Sequence, residues 1–219
     1  MNKAMRLNVL GVPALIFSSA LMATPIDIQI TSGDEWRSTD TLVSGWQTLG
    51  VDDTSWAQAR GDYPFVSSAP PQTYIPGTSA TYMWHDPNDS SNGANGPNEA
   101  FFRYTFELNL TASSLPILGQ AFIDADDDFE FFVNGVSVFL DDSGGFTHGP
   151  SHFVDFTTHL QNGQNVFGIH AVDGKWIYPQ DWGHEWALID ARISSVPEPS
   201  TIALLGLGLL GLGLTRPKG

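Results

Sequence analysis

The middle of the sequence predicts an all-β domain built as an antiparallel sandwich. Short runs rich in β-branched and aromatic residues alternate with turn residues, and no segment shows the 3.6-residue period of an amphipathic helix. The dipeptide Asn134-Gly135 separates two such runs, and it favours a two-residue hairpin because both turn positions need positive φ. Many short strands joined by frequent turns are typical of two packed antiparallel sheets.

The individual strands follow from apolar and polar alternation. In the last predicted strand, residues 186–194, alternate apolar residues share one face, opposite Asp190 and Arg192. Two stretches, residues 64–98 and 173–185, instead predict long loops, and such loops in a compact domain are usually functional or disordered. The predicted strands are residues 26–30, 101–110, 117–124, 129–133, 136–140, 166–172 and 186–194.

The composition excludes several classes of function. The 219-residue chain has a net charge of −15, and every acidic residue except Glu198 lies in its middle segment. Such a surface repels nucleic acid and anionic lipid, whereas it tolerates neutral sugars and Ca²⁺; acidity also keeps an exported protein soluble. We therefore expect no nucleic-acid partner. The absence of cysteine excludes disulfides, thiol catalysis and cysteine-based zinc sites.

The N-terminal residues 1–23 predict a secretory signal peptide. Lys3 and Arg6 precede an apolar run, and small residues up to Ala23 supply a cleavage site. The run is short for a membrane span of about 20 residues, which favours cleavage over a permanent anchor.

The C-terminal residues 196–219 differ sharply from the domain at 24–195. Pro197 and Pro199 bracket Glu198, stop any preceding strand and hold the chain extended. The uncharged, Gly/Leu-rich run 201–214 predicts a short transmembrane helix of roughly 21 Å. Because the hydrocarbon core is about 30 Å thick, this helix is marginal as a permanent anchor.

This tail resembles the PEP-CTERM sorting signal, which combines a Pro-Glu-Pro motif, a membrane helix and a basic end. It departs from that pattern in its basic end, where Pro217 separates only two charges. The resemblance implies that Pro197, Glu198 and Pro199 are recognised by a membrane-embedded exosortase that removes the tail. It also implies a Gram-negative envelope, surface or matrix location, an inner-membrane anchor before processing, and the company of exported polysaccharide.

The middle segment resembles galactose-binding-like jelly-roll domains, the sugar-binding type attached to many glycoside hydrolases. The resemblance implies a jelly-roll β-sandwich, although many such domains are scaffolds without a ligand. Its landmarks, in order, are Trp36, Gly45-Trp46-Gln47-Thr48, Asp52-Asp53-Thr54-Ser55-Trp56, Phe102-Arg103-Tyr104, Ala125-Asp126-Asp127, Phe132-Val133-Asn134-Gly135, Leu160, Gly163 and Asn165-Val166.

A cluster of aspartates before the hairpin is the candidate metal site. Closely spaced carboxylates supply several of the oxygens that Ca²⁺ takes, and alternate residues on an extended chain share a face. Turn aspartates also commonly bond their own backbone, so a purely structural role is the alternative. No cofactor is certain, and structural Ca²⁺ is the one hypothesis. The candidate ligands are Asp124, Asp126, Asp127 and Asp128.

Aromatic residues in the long loops are the candidate sugar contacts. Sugar binding needs flat apolar faces for stacking and a few polar groups for orientation. The alternative is that these side chains cover the open ends of the sandwich. The candidates are Trp84, His85, Trp176, Tyr178, Trp182 and His184.

These observations predict a non-catalytic envelope or matrix protein that binds or accompanies extracellular polysaccharide. A purely structural surface protein without a sugar ligand is the first alternative. A small carbohydrate-active enzyme is the second, but the acidic residues are too numerous for their sequence positions to single out a catalytic pair.

Overall fold

The structure is a computed structural model of the chain, and it describes residues 25–61, 75, 78, 80–86, 98–110, 116–143, 152–173 and 185–196. These residues form two antiparallel six-stranded sheets. In chain order the strands are β1 (Asp27–Thr31), β2 (Arg37–Thr39), β3 (Ala57–Gln58), β4 (Arg60–Gly61), β5 (Met83–Trp84), β6 (Glu99–Leu108), β7 (Ile117–Asp126), β8 (Asp128–Val133), β9 (Val136–Asp141), β10 (His152–Asp155), β11 (Gly163–Val172) and β12 (Trp186–Ser195), with a 3₁₀ turn at Thr157–His159.

In both sheets, most neighbouring strands are not consecutive in the chain. Sheet A runs β10-β7-β12-β5-β4, and β1 also pairs with β12. Sheet B runs β3-β2-β6-β11-β8-β9. The chain therefore crosses between the sheets several times, as a jelly-roll sandwich requires, and the predicted all-β antiparallel class is confirmed.

The predicted hairpin joins β8 and β9. Asn134 and Gly135 have φ values of 53° and 86°, which are the positive angles that this turn needs. The Asn134 side chain also fastens the turn to β11, because its Nδ2 donates to the Asn165 side-chain Oδ1 at 2.8 Å and its Oδ1 accepts from the Val166 N–H at 2.9 Å.

Each of the long predicted runs is a strand, but the short strands β2 to β5 and the edge strand β10 were not predicted. Strands of two to four residues are too short to show alternation, and their partners across the sheet define them. The structure accordingly places β5 inside the stretch 64–98 that was predicted to be loop.

The core lies between the inner faces of the two sheets. The four alternate apolar residues of β12 are each fully buried, as their pattern predicted. Sheet B contributes Phe131 and Phe167, whose rings meet edge to face at 5.3 Å, and Phe156 packs on both. Such aromatic contacts add to the burial of apolar area that stabilises the sandwich.

Arg103 on β6 holds residues 46–53 against the outer face of sheet B. Its side chain is only 2% exposed. The guanidinium donates to the Asp53 carboxylate at 2.8 Å, to the Thr48 carbonyl at 2.9 Å, and to the carbonyl of Trp46. The Trp46 ring consequently lies against Gly168, where a Cβ would stand 2.9 Å from the ring.

Asp190 on β12 has the equivalent role on sheet A. It is completely buried, although the strand pattern predicted that it would lie opposite the core face. Its Oδ2 accepts from the Ile75 N–H at 2.9 Å and from the Thr78 hydroxyl at 2.8 Å. Ile75 and Thr78 are therefore held at this part of sheet A, and Trp186 and Leu188 form a small second core with Ala80.

Replacing Arg103 should destabilise the protein strongly. We expect Arg103→Met to lower the free energy of unfolding by about 3 kcal/mol, because it leaves buried carbonyls and the Asp53 carboxylate without their donor. Arg192→Met is the matched control, since the exposed Arg192–Asp27 pair contributes little. Urea unfolding of both variants measures the difference; equal midpoints would contradict the role assigned to Arg103.

Candidate functional site

The strand registers give the sandwich two chemically different ends. At the tail end, β12 finishes at Ser195 and β1 begins at Asp27, which faces Ser194. At the loop end, Asp126 faces Trp186 and Val172 faces Asp128. Because β6 and β11 are antiparallel, Val172 also faces Glu99 at this end. The segments 87–97, 144–151 and 174–184 therefore all leave and rejoin the described strands at the loop end.

The predicted aspartate cluster lies at the loop end, where the chain crosses from sheet A to sheet B. β7 ends at Asp126 and β8 begins at Asp128. Asp124, Asp126 and Asp127 are 6 to 7% exposed, which is unusual for carboxylates. The backbone is held by the Asp127 N–H, which donates to the Val172 carbonyl at 2.9 Å.

Burial changes the acidity of this cluster. Desolvation, a hydrogen bond with Asp127 and the charges of Asp127, Asp173 and Asp124 together raise the pKa of Asp126 to about 8, and desolvation is the largest cause. Desolvation also raises the pKa of Asp124 to about 6, although the Ala125 N–H, which donates to its carboxylate at 3.0 Å, opposes this shift. The raised pKa favours the protonated form of Asp126 in the folded state. Its Oδ2 has no hydrogen-bond partner among the described residues.

The predicted calcium ligands are divided between the two sheets, because Asp124 and Asp126 lie on β7 and Asp128 begins β8. The calcium site itself stays a prediction. Within the described ranges, no three histidine or carboxylate side chains converge so that they could hold a metal ion. The expected common face of Asp124, Asp126 and Asp128 fails because alternation holds only along one continuous strand, and the chain changes sheets at Asp127.

The predicted sugar contacts divide into two groups. Trp84 is completely buried beside Phe102, with ring centroids 5.8 Å apart, so no sugar can stack on it in this structure. His85 is 6% exposed, its Nδ1 lies 3.0 Å from the Ser38 hydroxyl, and burial lowers its pKa against the charges of Asp40 and Asp86. Both residues are buried and do not lie in an exposed loop as predicted, because Trp84 is part of β5 and His85 directly follows that strand. Trp176, Tyr178, Trp182 and His184 lie outside the described residues.

An exposed aromatic pair was missed by the sequence analysis. Phe153 on β10 is 52% exposed, and its ring lies 5.2 Å from that of Phe122 on β7. The two residues face each other across the strands. The alternation in β7 was visible in the sequence, but the four-residue strand β10 was not, so nothing indicated that Phe153 would join Phe122.

A polar cleft of about 350 Å³ lies on the other side of the molecule, beside β2 and β6. It is lined by Glu35, Arg37, Asp53, Arg103, Tyr104 and Thr105. Arg103 and Asp53 are already bonded to each other there, and burial together with Glu35 raises the pKa of Tyr104. The cleft therefore offers mainly groups that serve the fold.

The sorting tail is supported by a family comparison. Residues 195–216 match the family model of the PEP-CTERM protein-sorting motif. The motif indicates an exported, envelope-associated protein that an exosortase processes. Pro197, Glu198 and Pro199 and the predicted transmembrane helix lie outside the described residues. Within the described part, no helix is long and apolar enough to cross a membrane.

Comparisons of the whole chain are less specific. No curated protein matches it. Among solved structures, a beta-glycosidase from Bacteroides vulgatus aligns at 15% identity and a TM-score of 0.48, over 78% of this chain and 20% of that one. Bacteroides uniformis beta-glucuronidase 2 aligns at 13% identity and a TM-score of 0.47, over 78% and 18%. A beta-glucuronidase from an uncultured Clostridium aligns at 12% identity and a TM-score of 0.45, over 84% and 31%.

The chain thus spans less than a third of the length of each of these enzymes. Likeness at this level carries no argument about activity. The described site residues have to be judged on their own geometry.

The buried carboxyl of Asp126 predicts a pH-dependent stability. Between about pH 4 and the folded pKa of about 8, the folded state keeps a proton that the unfolded chain releases, so stability falls as pH rises. In Asp126→Asn an amide replaces the neutral acid. We expect the variant to match the natural protein near pH 4 and to exceed its unfolding free energy by roughly 2 to 4 kcal/mol near pH 8.

Urea unfolding at a series of pH values measures this difference. Asp142→Asn, in an exposed position, is the control and should follow the natural protein throughout. A constant offset between Asp126→Asn and the natural protein across the range would show that Asp126 does not titrate as described. A midpoint raised by Ca²⁺ near pH 8 would support the calcium hypothesis.

Proposed function

We propose that this exported protein is a non-catalytic envelope component that associates with extracellular polysaccharide through its β-sandwich. The signal peptide 1–23 would carry it out of the cell, and Pro197, Glu198 and Pro199 would direct its sorting. The observation that carries the proposal is the direction in which the sandwich extends from the sorting motif.

The sorting motif follows directly on the tail end of the domain. Val196 is still attached to the sandwich, because its N–H donates to the Pro116 carbonyl at 2.8 Å. The ten residues of β12, at about 3.3 Å each, place the loop end roughly 30 Å away. The sides and the loop end of the sandwich are therefore presented away from the point of attachment, which suits a protein that contacts a surrounding matrix.

The buried carboxyls support a non-catalytic role. Glycoside hydrolysis needs two carboxyl groups that flank the scissile bond of a bound polymer. Asp124 and Asp126 have the raised pKa values of general acids, but each is 7% exposed and packed at the crossover between the sheets. This burial favours a structural role for both groups, with their raised pKa values a consequence of folding.

The charge of the chain supports an uncharged ligand. A net charge of −15 disfavours polyanions such as nucleic acid. Neutral polysaccharide carries no such penalty, and binding through stacking and hydrogen bonds changes little with salt.

A glycan panel tests the proposal. We expect the full-length protein, purified in detergent, to be retarded in native gels that contain at least one neutral polysaccharide, with no release of reducing sugar. An ovalbumin lane controls for sieving. Unretarded migration in every gel would instead favour the purely structural alternative, and released sugar would favour the enzyme.

The sorting assignment predicts a processing defect. In an exosortase-containing host, Glu198→Ala should leave the tail uncleaved, so a higher-mass form accumulates in the membrane fraction on immunoblots. Thr201→Ala, just beyond the motif, is the control and should be processed normally. Normal processing of Glu198→Ala would remove Glu198 from the recognition element.

A further inference from the structure

Among the residues that the structure describes, those that lie on the outer face of sheet A cover only part of it. Towards the loop end, the chain held by Asp190 packs over Trp186 and Leu188. Towards the tail end, Gln120 and Arg192 face each other on β7 and β12 and are only partly buried. The strip of sheet A between β10 and the covered region is the open face, and it is built from Gln120, Phe122, Phe153, Asp155 and Arg192.

Aromatic rings form the centre of the open face. Phe122 lies between Ala121 and Ile123, which are both fully buried in the core, so strand alternation directs its ring outward. Phe153 is directly opposite on β10, and the two ring planes are inclined at 58° with centroids 5.2 Å apart. The sheet holds both rings in place as an apolar platform, and because their planes are inclined to each other, the exposed Phe153 ring is the stacking surface of this platform and Phe122 supports it.

Polar groups border this platform on the tail side. Gln120 lies two residues from Phe122 on the same face, and its amide makes no hydrogen bond within the described part of the chain. Asp155 on β10 faces Gln120 on β7, and the Asp155 Oδ1 accepts from the Thr157 N–H at 3.0 Å. Beyond Gln120, the Arg192 guanidinium is held by both oxygens of Asp27 at 2.7 and 2.9 Å.

We infer that the open face binds the pyranose units of an uncharged polysaccharide, with a sugar ring stacked on Phe153, which Phe122 supports, and its hydroxyls bonded by Gln120. This inference rests on the proposed function and names the place and the ligand class. Flat aromatic faces beside a few oriented polar groups are what sugar recognition requires. The Arg192–Asp27 pair is internally neutralised, so the face offers no unpaired cation for a polyanion.

A second copy of the chain fits this face less well. A stable protein interface buries about 800 Å² on each partner. The apolar part of the open face consists of two rings, of which Phe153 alone is more than half exposed and Phe122 is half-buried. This area suits one or two sugar rings better than a protein interface.

Substitutions at Phe153 test the inference. The ring is exposed, so Phe153→Ala should leave the urea midpoint nearly unchanged, while affinity for the polysaccharide that the natural protein binds falls about tenfold or more. Phe153→Tyr keeps the aromatic face and should retain affinity. Leu140→Ala, 56% exposed on β9 of the other sheet, is the matched control and should bind as the natural protein does.

The outcomes separate this inference from the proposed function. If the full-length protein binds a glycan and Phe153→Ala binds it equally well, the open face is not the site, although the proposed function stands. If the natural protein binds no glycan, both fail together. A dimer in sedimentation that Phe153→Ala dissociates would assign the face to self-association and overturn the inference. Affinity that drops steeply between about 0.05 and 0.5 M salt would show that the ligand is charged, and this result would also overturn the inference.

Discussion

The buried guanidinium of Arg103 is the interaction on which the arrangement of sheet B depends. A guanidinium has five donors and no acceptor, so its burial is tolerated only where several oxygens surround it. The chain provides the Asp53 carboxylate and the carbonyls of Trp46 and Thr48, all from one irregular segment. One side chain therefore orders a stretch whose own backbone hydrogen bonds form only short turns, and it places the Trp46 ring over Phe101 and Phe132.

The same solution with opposite charge occurs on sheet A. Asp190 is an acceptor where Arg103 is a donor, and it secures Ile75 and Thr78. In a chain without cysteine, these two buried polar groups do for the covering segments what disulfides do in many exported domains. Asp190 faces Phe122 on β7, and Phe122 faces Phe153 on β10, so the residues that Asp190 holds lie beside the open face.

The acidic residues of the domain have two distinct roles. Exposed ones such as Asp52 and Asp155 accept hydrogen bonds from nearby threonines, which lowers the pKa of each carboxyl below its usual value. The carboxyls at the crossover from β7 to β8 are desolvated instead, so the pKa of Asp126 rises to about 8. The second group belongs to the fold at the loop end.

The sequence by itself determined the β class, the long strands, the hairpin at Asn134-Gly135 and the sorting motif. Each of these depends on neighbouring residues: alternation along a strand, positive φ at two adjacent positions, or a contiguous signal. Only the tertiary structure decided which side chains are accessible. Trp84 and Asp190 looked like surface residues but are buried, because β5 and the covering segment are defined by distant partners. Phe153 became part of a platform with Phe122 because pairing across two strands is a non-local property, and no local pattern carries that information.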